Sequence, residues 1–340
     1  MHHYVTRAYL EGMRAPGESR LWVYERNSDR VFRNVPKNLA SRRAYYTVSR
    51  KDGVEEDKLE KLLGTEVEGP GIAAIRRLSR ESKQLHWEER IQATALIAFQ
   101  ELRVPYMREQ LARMMKGLIK GFMDSAIGVP GMLEEDLNKL QREGKASEAV
   151  TAEDLRKVVR EGGIDIVMKP EASLMAMGHA VKTLMMTYAE LKWEVLIARE
   201  GEFVTSDCPV CRQYPDSGNG PVGLVNPDLN VYFPITHDRA LRLRHDHRKI
   251  EFFARLMGLG RQHEAIRLRE RTPETSFRFI GGSEVSAINS LLIQRAQRWV
   301  YSPSENPGIQ KEFRGECVNV RMEVESQPGE QELKWLNMIR

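Results

Sequence analysis

The chain has few cysteines and no long apolar run. Only three of its 340 residues are cysteines. This small, odd number does not indicate a disulfide framework, so a reducing cytoplasm is the expected compartment. No apolar stretch approaches the roughly 20 residues that a membrane-spanning helix needs, and the first residues show no signal-peptide pattern. We therefore expect a cytoplasmic protein that does not work in a membrane.

Several motifs of large enzyme superfamilies are also absent. The sequence has no Walker loop, no H-E-x-x-H helix and no G-x-S-x-G elbow. P-loop NTPases, zincin-type proteases and hydrolases with a nucleophile elbow are therefore unsupported. The composition is ordinary, with 41% hydrophobic and 29% charged residues and a net charge of +4. These values are typical of a soluble globular protein.

Hydrophobic periodicity predicts an α+β fold, in which a helix-dominated body carries a small, mostly antiparallel sheet. We expect a single domain over residues 1–340, since neither group of predicted strands is large enough to bury a face alone. The predicted segments are a β-rich start at 1–50, a helical body at 55–200, a strand-rich core at 201–245, C-terminal helices at 246–302 and an irregular tail at 303–340.

Four local signals refine this prediction. Asn27-Ser28-Asp29 lies between two strand patterns and predicts a hairpin. Gly69-Pro70-Gly71 is expected to interrupt one helix, and Pro105 is expected to break or kink another. A further long helix is predicted from Glu171 to Arg199. Strands near residues 21–33 and 201–244 are expected to share one sheet or adjoining sheets.

Asp207 is a candidate site residue because it follows a strand pattern. Phe203-Val204 is apolar and leads into Thr205-Ser206-Asp207, and Pro209 cannot donate a hydrogen bond to a strand ladder. The strand should therefore end here and hold Asp207 rigidly with its tip open. The alternative is an ordinary Asp-x-Pro turn.

The N-terminal histidines form a second candidate. In a strand His2 and His3 would point to opposite faces, so at most one would enter a given site. We favour His3, because Val5 would share its face and Arg7 would continue it. Histidine acts as a general base or a metal ligand near neutral pH. The alternative is a frayed terminus without a function.

The helical stretch around Pro105 provides a third candidate. Gln100 and Arg103 are one turn apart and can lie on one helix face, while Arg103 and Arg108 flank the expected kink. Such a group could bind an anion or hold a carboxylate such as Asp207. A surface pattern of salt bridges is the alternative.

Two further groups of residues are weaker candidates. Cys208, Cys211, His245 and His247 have the types of a tetrahedral zinc site, but the spacing is unspecific, and we predict that they do not bind zinc together. A basic cluster could meet phosphate or form a solvated strand face. It comprises Arg239, Arg242, Arg244, Arg248, His237, His245 and His247.

Several of these motifs, taken in order, resemble a bacterial family known as domain of unknown function 4238. Its members share a His-Tyr-Val-Pro-like start, a "lwvyd" strand, a Q-x-x-R-t-P-x-x-R helix, an S-D-n-P-v motif, a Pro-Leu-Thr-like strand and a helix with an Asn near its start. The corresponding residues here are His3-Tyr4-Val5, Leu21-Trp22-Val23-Tyr24, Gln100, Arg103, Pro105, Arg108, Thr205 to Val210, Phe233-Pro234-Ile235-Thr236 and Asn289 to Ser302. The chain departs from the family at Thr6, where Pro is usual, and at Cys208, where Asn is usual.

The resemblance supplies no established activity, but it singles out His3, Arg7, Gln100, Arg103, Asp207 and Asn289 as motif positions. We expect His3, Arg7, Gln100, Arg103 and Asp207 to meet around one polar pocket. Arg108 and Asn289 are further ligand-binding candidates.

Two functions remain open at this stage. The first is a hydrolase of a phosphodiester or another nucleotide-derived substrate, such as a nuclease in bacterial phage defence, with nucleic acid or a nucleotide as its partner. His3 and Asp207 would then act as base or metal ligand, and Arg7 and Arg103 would clamp the anion. A divalent metal is left open as cofactor, and a two-metal site would need Glu66, Glu68 or Glu101. The second function is a non-enzymatic module that senses a ligand or partner.

Overall fold

The computed structural model describes residues 2–43, 48–49, 55–56, 63–129, 131–161, 170–214, 223–224, 226–246 and 274–314. These residues divide into two compact units, one within 2–108 and 174–314 and the other within 109–173. The expectation of a single domain over the whole chain stays a prediction. All the residues of the candidate site belong to the first unit.

A four-stranded antiparallel sheet joins distant parts of the chain. Its strands are β2 (Leu21–Glu25), β3 (Val31–Asn34), β8 (Thr205–Ser206) and β13 (Trp299–Ser302). Their order is β3-β2-β13-β8. The predicted hairpin connects β2 and β3, with Asn27 at a positive φ of 55°. The expectation that strands near 21–33 and 201–244 share a sheet is thus confirmed for residues 205–206.

A five-stranded sheet lies in the same unit. Its strands are β7 (Lys192–Ala198), β9 (Cys211–Gln213), β10 (Asn230–Thr236), β11 (Arg239–Arg244) and β12 (Thr275–Ile280). Their order is β12-β7-β11-β10-β9, and all the pairs are antiparallel except β12 with β7. Two short ladders complete the described strands: β1 (His2–His3) with β4 (Ser41–Arg42), and β5 (Val48–Ser49) with β6 (Glu55–Glu56).

Helices make up most of the remaining described structure. A 3₁₀ turn covers Pro36–Asn38, and a π-helical segment covers Leu63–Glu68. The α-helices are α1 (Arg7–Gly12), α2 (Gly69–Glu81), α3 (Trp87–Leu102), α4 (Pro105–Gly128), α5 (Met132–Arg142), α6 (Ala152–Arg160), α7 (Pro170–Glu190), α8 (Gly282–Arg295) and α9 (Pro307–Glu312). The architecture is therefore α+β, as predicted. No helix among the described residues is long and apolar enough to cross a membrane.

Two helix boundaries were predicted wrongly. The helix expected to reach Arg199 ends at Glu190, because Lys192–Ala198 forms a central strand paired on both sides. Gly69 and Pro70 begin α2 rather than interrupt a helix. Proline lacks a backbone N–H, and this is tolerated in the first turn because N–H groups there have no intrahelical acceptor. The break before Pro105 is confirmed, because α3 ends at Leu102 and α4 begins at Pro105.

Outside these helices, two expectations about segment type also fail. Strands β12 and β13 lie in the segment 246–302, where only helices were expected, and α9 lies in the tail that was expected to be irregular. Strand β12 adds to the edge of the five-stranded sheet, and β13 pairs with β2 and β8. Tertiary pairing with distant strands thus overrides the weak helical pattern of these short segments.

Helix α3 is fixed in the core by a buried arginine. The Arg90 guanidinium donates to the carbonyl oxygens of Ala189 (2.8 Å) and Leu191 (2.6 Å) and to the Thr275 hydroxyl (3.2 Å). Its guanidinium carbon lies 4.1 Å from the centre of the Trp193 ring, and burial lowers the pKa of Arg90 to about 9. These bonds join the first turn of α3 to the end of α7 and to the five-stranded sheet.

Candidate functional site

A cavity of about 380 Å³ lies in the first unit. This volume falls within the range of small-molecule sites. The cavity is lined by residues from β1 to α1, from the π-helical segment and from the end of α3: His3, Thr6, Arg7, Ala8, Glu11, Leu63, Gly64, Glu68 and Arg103.

His3 reaches the cavity because the start of the chain is paired to a strand. His2 and His3 form an antiparallel ladder with Arg42 and Ser41. His2 is buried, whereas His3 lines the cavity, so the two side chains diverge as predicted. Nε2 of His3 lies 3.1 Å from the carbonyl oxygen of Lys37. Since a carbonyl oxygen can only accept, Nε2 is the protonated nitrogen.

Helix α1 places a cation and a carboxylate at the cavity. Arg7 begins the helix, and its Nε donates to Glu11 at 2.7 Å across one helical turn. The Arg7 side chain is 55% exposed, so its charge remains accessible to a ligand. The helix is anchored from its other side by Tyr9, which stacks on Phe233 at 4.9 Å and hydrogen-bonds the Thr205 hydroxyl at 2.7 Å.

Arg103 is oriented by three oxygen acceptors. Its Nε donates to Oε1 of Gln100 at 2.8 Å, and its terminal nitrogens donate to Glu68 and to the hydroxyl of Thr6. Arg103 is 1% exposed and caps the C-terminal end of α3 just ahead of Pro105. A cation at this helix end is favourable because the last carbonyl groups carry partial negative charge.

Gln100 lies behind the cavity lining and acts on it through its neighbours. Its Oε1 accepts from Nε of Arg103 and from the backbone N–H of Thr6 at 3.4 Å. These two donors fix the orientation of the amide, and its Nε2 has no hydrogen-bond partner among the described residues. Thr6 thus supplies an N–H and a hydroxyl that a proline at this position would lack.

The π-helical segment carries the second carboxylate of the site. Leu63, Gly64 and Glu68 line the cavity from this segment, and the Glu68 carboxylate pairs with Arg103. Single π-helical turns are uncommon and occur frequently at functional sites. The side chains around the cavity therefore comprise two guanidinium groups, two carboxylates and an imidazole, an arrangement suited to binding an anion and transferring a proton.

Asp207 is not among the residues that line this cavity, so the expected convergence is corrected at this position. Its carboxylate oxygens accept from the backbone N–H groups of Gln297 (2.8 Å), Arg298 (2.8 Å) and Trp299 (3.2 Å). Its own N–H donates to the Trp299 carbonyl oxygen at 3.0 Å. Asp207 is buried and fastens the turn that precedes β13.

The His-Tyr-Val and Ser-Asp motifs nevertheless meet, through Tyr4 rather than His3. The hydroxyl of Tyr4 is hydrogen-bonded to Tyr301, and the negative charge of Asp207 acts on both phenols. Burial is the main cause that raises the pKa of both tyrosines above the usual value. For Tyr4, the negative charge of Asp207 is the second largest cause. The start of the chain thus presents His3 to the cavity and Tyr4 to the buried surroundings of Asp207.

The Asp207 carboxyl predicts a pH dependence of stability. Burial raises its pKa to about 6 from an ordinary value of 3.8, although the three backbone donors act in the opposite direction. Between these values the folded protein retains a proton that the unfolded chain has lost, so this group contributes less to stability as the pH rises through that window. We expect the free energy of unfolding of the wild type minus that of Asp207→Asn to be more positive at pH 4 than at pH 7. Urea unfolding at both pH values measures it, and an equal difference would contradict the expectation.

Asn289 and Arg108 also lie outside the cavity lining. The Asn289 side chain accepts from the backbone N–H of Val204 (3.0 Å) and donates to the carbonyl oxygen of Glu202 (2.8 Å). It thereby pins the segment before β8 to helix α8. Arg108 is half-buried in the first turns of α4, and its backbone N–H donates to Val104.

Glu11 was not identified from the sequence, and Glu68 was named only as a possible member of a two-metal site. Glu11 lies four residues after Arg7, a spacing that places the two side chains on one helix face and could have identified it. Glu68 has no comparable local signal, because its pairing with Arg103 joins segments 35 residues apart.

The weaker candidates do not form a site among the described residues. Cys211 lies within β9 with its Sγ 3.7 Å from the Leu291 carbonyl oxygen, while His245 is bonded to the Leu224 carbonyl oxygen at 2.8 Å. No set of three or more His, Cys, Asp or Glu side chains suited to a metal ion occurs in the described part of the chain. His247 and Arg248 lie outside the described residues. The prediction about zinc stays a prediction.

Within the basic cluster, two of the three described arginines meet acidic side chains. Arg242 pairs with Glu194 at 2.7 Å, and Arg239 lies 3.7 Å from a carboxylate oxygen of Asp238. The cluster is therefore partly neutralised where the structure describes it.

Comparison with known proteins shows the family. The family model described as "Protein of unknown function (DUF4238)" matches residues 1–306. The chain therefore belongs to this family, as its motifs indicated. No curated protein matches the chain, and no solved structure matches it.

Proposed function

We propose that the cavity is the active site of a cytoplasmic hydrolase that cleaves a phosphodiester or another nucleotide-derived substrate, with a nuclease of phage defence as one form of this function. One observation carries the proposal: His3, Arg7 and Arg103, from the start of the chain and the end of α3, line one cavity with two carboxylates. An imidazole beside guanidinium groups is the combination that hydrolysis of an anionic ester uses.

His3 acts as the general base in this proposal. Because Nε2 donates to the Lys37 carbonyl oxygen, the lone pair of the neutral ring lies on Nδ1. Nδ1 takes a proton from the attacking water, and the water oxygen bonds to phosphorus while the ester oxygen leaves. Histidine suits this role because its ordinary pKa is about 6.5.

The two arginines have different parts. Arg7 is half-exposed and can donate directly to a phosphate oxygen. Arg103 is buried and bonded to Gln100, Thr6 and Glu68. It supplies a fixed positive charge in a poorly solvated wall, where such charge stabilises the developing negative charge best.

This proposal predicts the effect of removing the imidazole. His3→Ala should lower kcat/KM for a phosphodiester by about 100-fold or more, the usual size of a lost general base. We would measure turnover of bis(p-nitrophenyl) phosphate, with and without added Mg²⁺ or Mn²⁺, since Glu11 and Glu68 offer the oxygen ligands these ions prefer. Arg7→Gln should raise KM more than it lowers kcat, because the Arg7 guanidinium binds the substrate and the transition state equally well.

The matched control is His237→Ala, which removes a half-buried histidine that is not among the cavity-lining residues. Its kcat/KM should stay within about twofold of the wild type, as expected for a change away from the chemistry. Equal activity of His3→Ala and the wild type at equal thermal stability would refute the role of His3.

A specific observation also supports the second function, a non-enzymatic module that senses a ligand. All three nitrogens of Arg103 donate to protein oxygens, and Arg7 pairs with Glu11, as in a network that holds a binding pocket open. Under this alternative, inorganic phosphate or a nucleotide would raise the melting temperature of the protein, and the nucleotide would not be hydrolysed. His3→Ala would reduce this increase in melting temperature.

A further inference from the structure

We propose that one end of the four-stranded sheet, where Phe32 and Trp299 lie beside two exposed arginines, binds single-stranded nucleic acid. This surface, the Phe32–Trp299 face, does not include any residue of the cavity. The inference deepens the proposed function by giving a polymeric substrate its binding surface, and it rests on that function only for the fate of the bound strand.

Strand register places the two rings on the same side of the sheet. Phe32 of β3 pairs with Val23 of β2, and Trp299 of β13 pairs with Glu25, two residues further along β2. Since alternate residues of a strand share a face, both rings project from the same side. Their centres lie 5.9 Å apart with the ring planes at 87°.

An arginine lies over each ring. The guanidinium carbon of Arg30 is 4.7 Å from the centre of Phe32, and that of Arg298 is 4.8 Å from the centre of Trp299. Both arginine side chains are highly exposed, at 61% and 65%. Phe32 and Trp299 are half-buried, whereas Val23 and Tyr301 on the same side are buried. Planar cationic groups and partly accessible rings therefore meet at this end of the sheet.

Glu25 holds the two arginines in place from between them. One carboxylate oxygen lies 3.6 Å from Arg30, and the other accepts from Arg298 at 2.8 and 3.0 Å. The Glu25 side chain is only 15% exposed, so it lies beneath the guanidinium groups rather than in front of them. Two cations and one anion leave the group with a net positive charge, which complements a phosphate backbone.

These features favour an unpaired strand over a duplex. Bases of a single strand offer their flat faces to aromatic rings and guanidinium planes, whereas bases in a duplex are stacked on each other. Exposed arginines can also donate to the phosphates on either side of a stacked base. An antiparallel sheet that presents aromatic side chains is a common platform for this kind of recognition.

The test is the affinity of the full chain for a fluorescein-labelled 12-nucleotide single strand and for the matching 12-base-pair duplex, measured by anisotropy at several salt concentrations. His3→Ala serves as the background, so that the strand is not consumed. On that background Arg30→Gln/Arg298→Gln should weaken single-strand binding by about tenfold or more and reduce the salt dependence by about two ions. Arg30→Lys/Arg298→Lys keeps both positive charges but removes the planar guanidinium groups. This variant should show the salt dependence of the parent without its full affinity.

The matched control is Arg314→Gln, which removes an equally exposed arginine that pairs with Asp29. It should leave affinity within about twofold of the parent, the usual scale for a peripheral surface charge. Equal affinity for strand and duplex, or unchanged binding by Arg30→Gln/Arg298→Gln, would overturn the inference.

The two proposals fail separately. Turnover of bis(p-nitrophenyl) phosphate by the wild type tests the hydrolase proposal alone, because that small diester needs no strand surface. Turnover of the diester without single-strand binding would end the sheet-face inference alone. Single-strand binding that Arg30→Gln/Arg298→Gln weakens, without turnover of any diester, would support the inference and end the hydrolase proposal.

Discussion

Asp207→Ala is expected to lower the free energy of unfolding by about 2 kcal/mol, since three part-buried backbone N–H groups lose their acceptor and a buried donor left without one costs about 1–3 kcal/mol. The carboxylate accepts from three consecutive N–H groups, at Gln297, Arg298 and Trp299. Alanine satisfies none of them. The turn before β13 would open, and the pairing of β13 with β2 and β8 would weaken.

Urea unfolding followed by tryptophan fluorescence measures this loss. Asp238→Ala is the matched control, because the Asp238 side chain is 42% exposed and its described partners are all close in sequence: the Thr236 hydroxyl, which donates to it, and the nearby side chains of His237 and Arg239. It should change stability by less than about 1 kcal/mol. If Asp207→Ala kept wild-type stability and lost only activity, Asp207 would have to be returned to the functional site.

Gly71→Ala is expected to destabilise the protein by about 3 kcal/mol, at the upper end of the usual cost of overpacking. A Cβ at this position would lie 2.5 Å from Cβ of Leu96 and 2.9 Å from the backbone oxygen of Gln92. Neither atom is the end of a flexible side chain, so helices α2 and α3 would have to move apart. Because Arg103 caps α3 and the π-helical segment leads directly into α2, the cavity should lose ligand affinity as well.

The control for this substitution is Gly117→Ala in helix α4, where a new Cβ would have no atom within 4 Å. Alanine is the better helix former, so this variant should gain up to about 1 kcal/mol. Thermal melts of both variants test the pair of predictions. Equal melting temperatures for Gly71→Ala and the wild type would show that α2 and α3 are not in the close contact described.

The sequence allowed the fold class to be predicted because its strongest signals are local. The Asn27-Ser28-Asp29 hairpin and the break at Pro105 depend on residues next to each other in the chain, and both were placed correctly. Strand β7 was missed because a continuous apolar run beside a helix reads equally well as helix. Its partners β11 and β12 come much later in the sequence and decide its state.

The same distinction explains the site. His3, Arg7 and Arg103 were expected together from the family motifs and from the alternation of a strand, and all three line the cavity. Asp207 was misplaced because a carboxylate at a strand end can face solvent or a buried turn. Its three donors are about 90 residues away. Every residue except proline has a backbone N–H, so the sequence does not indicate which of these groups bind a given carboxylate.

The order of the four-stranded sheet has a consequence for synthesis. Strand β2 pairs on one side with β3, which follows at once, and on the other with β13, about 275 positions later. At roughly 5–20 residues per second, the ribosome needs on the order of tens of seconds to supply that partner. During this time the hairpin has an unpaired edge that can take up strands from other chains. We therefore expect the yield of folded protein to fall more steeply with expression temperature and concentration than its equilibrium stability would suggest.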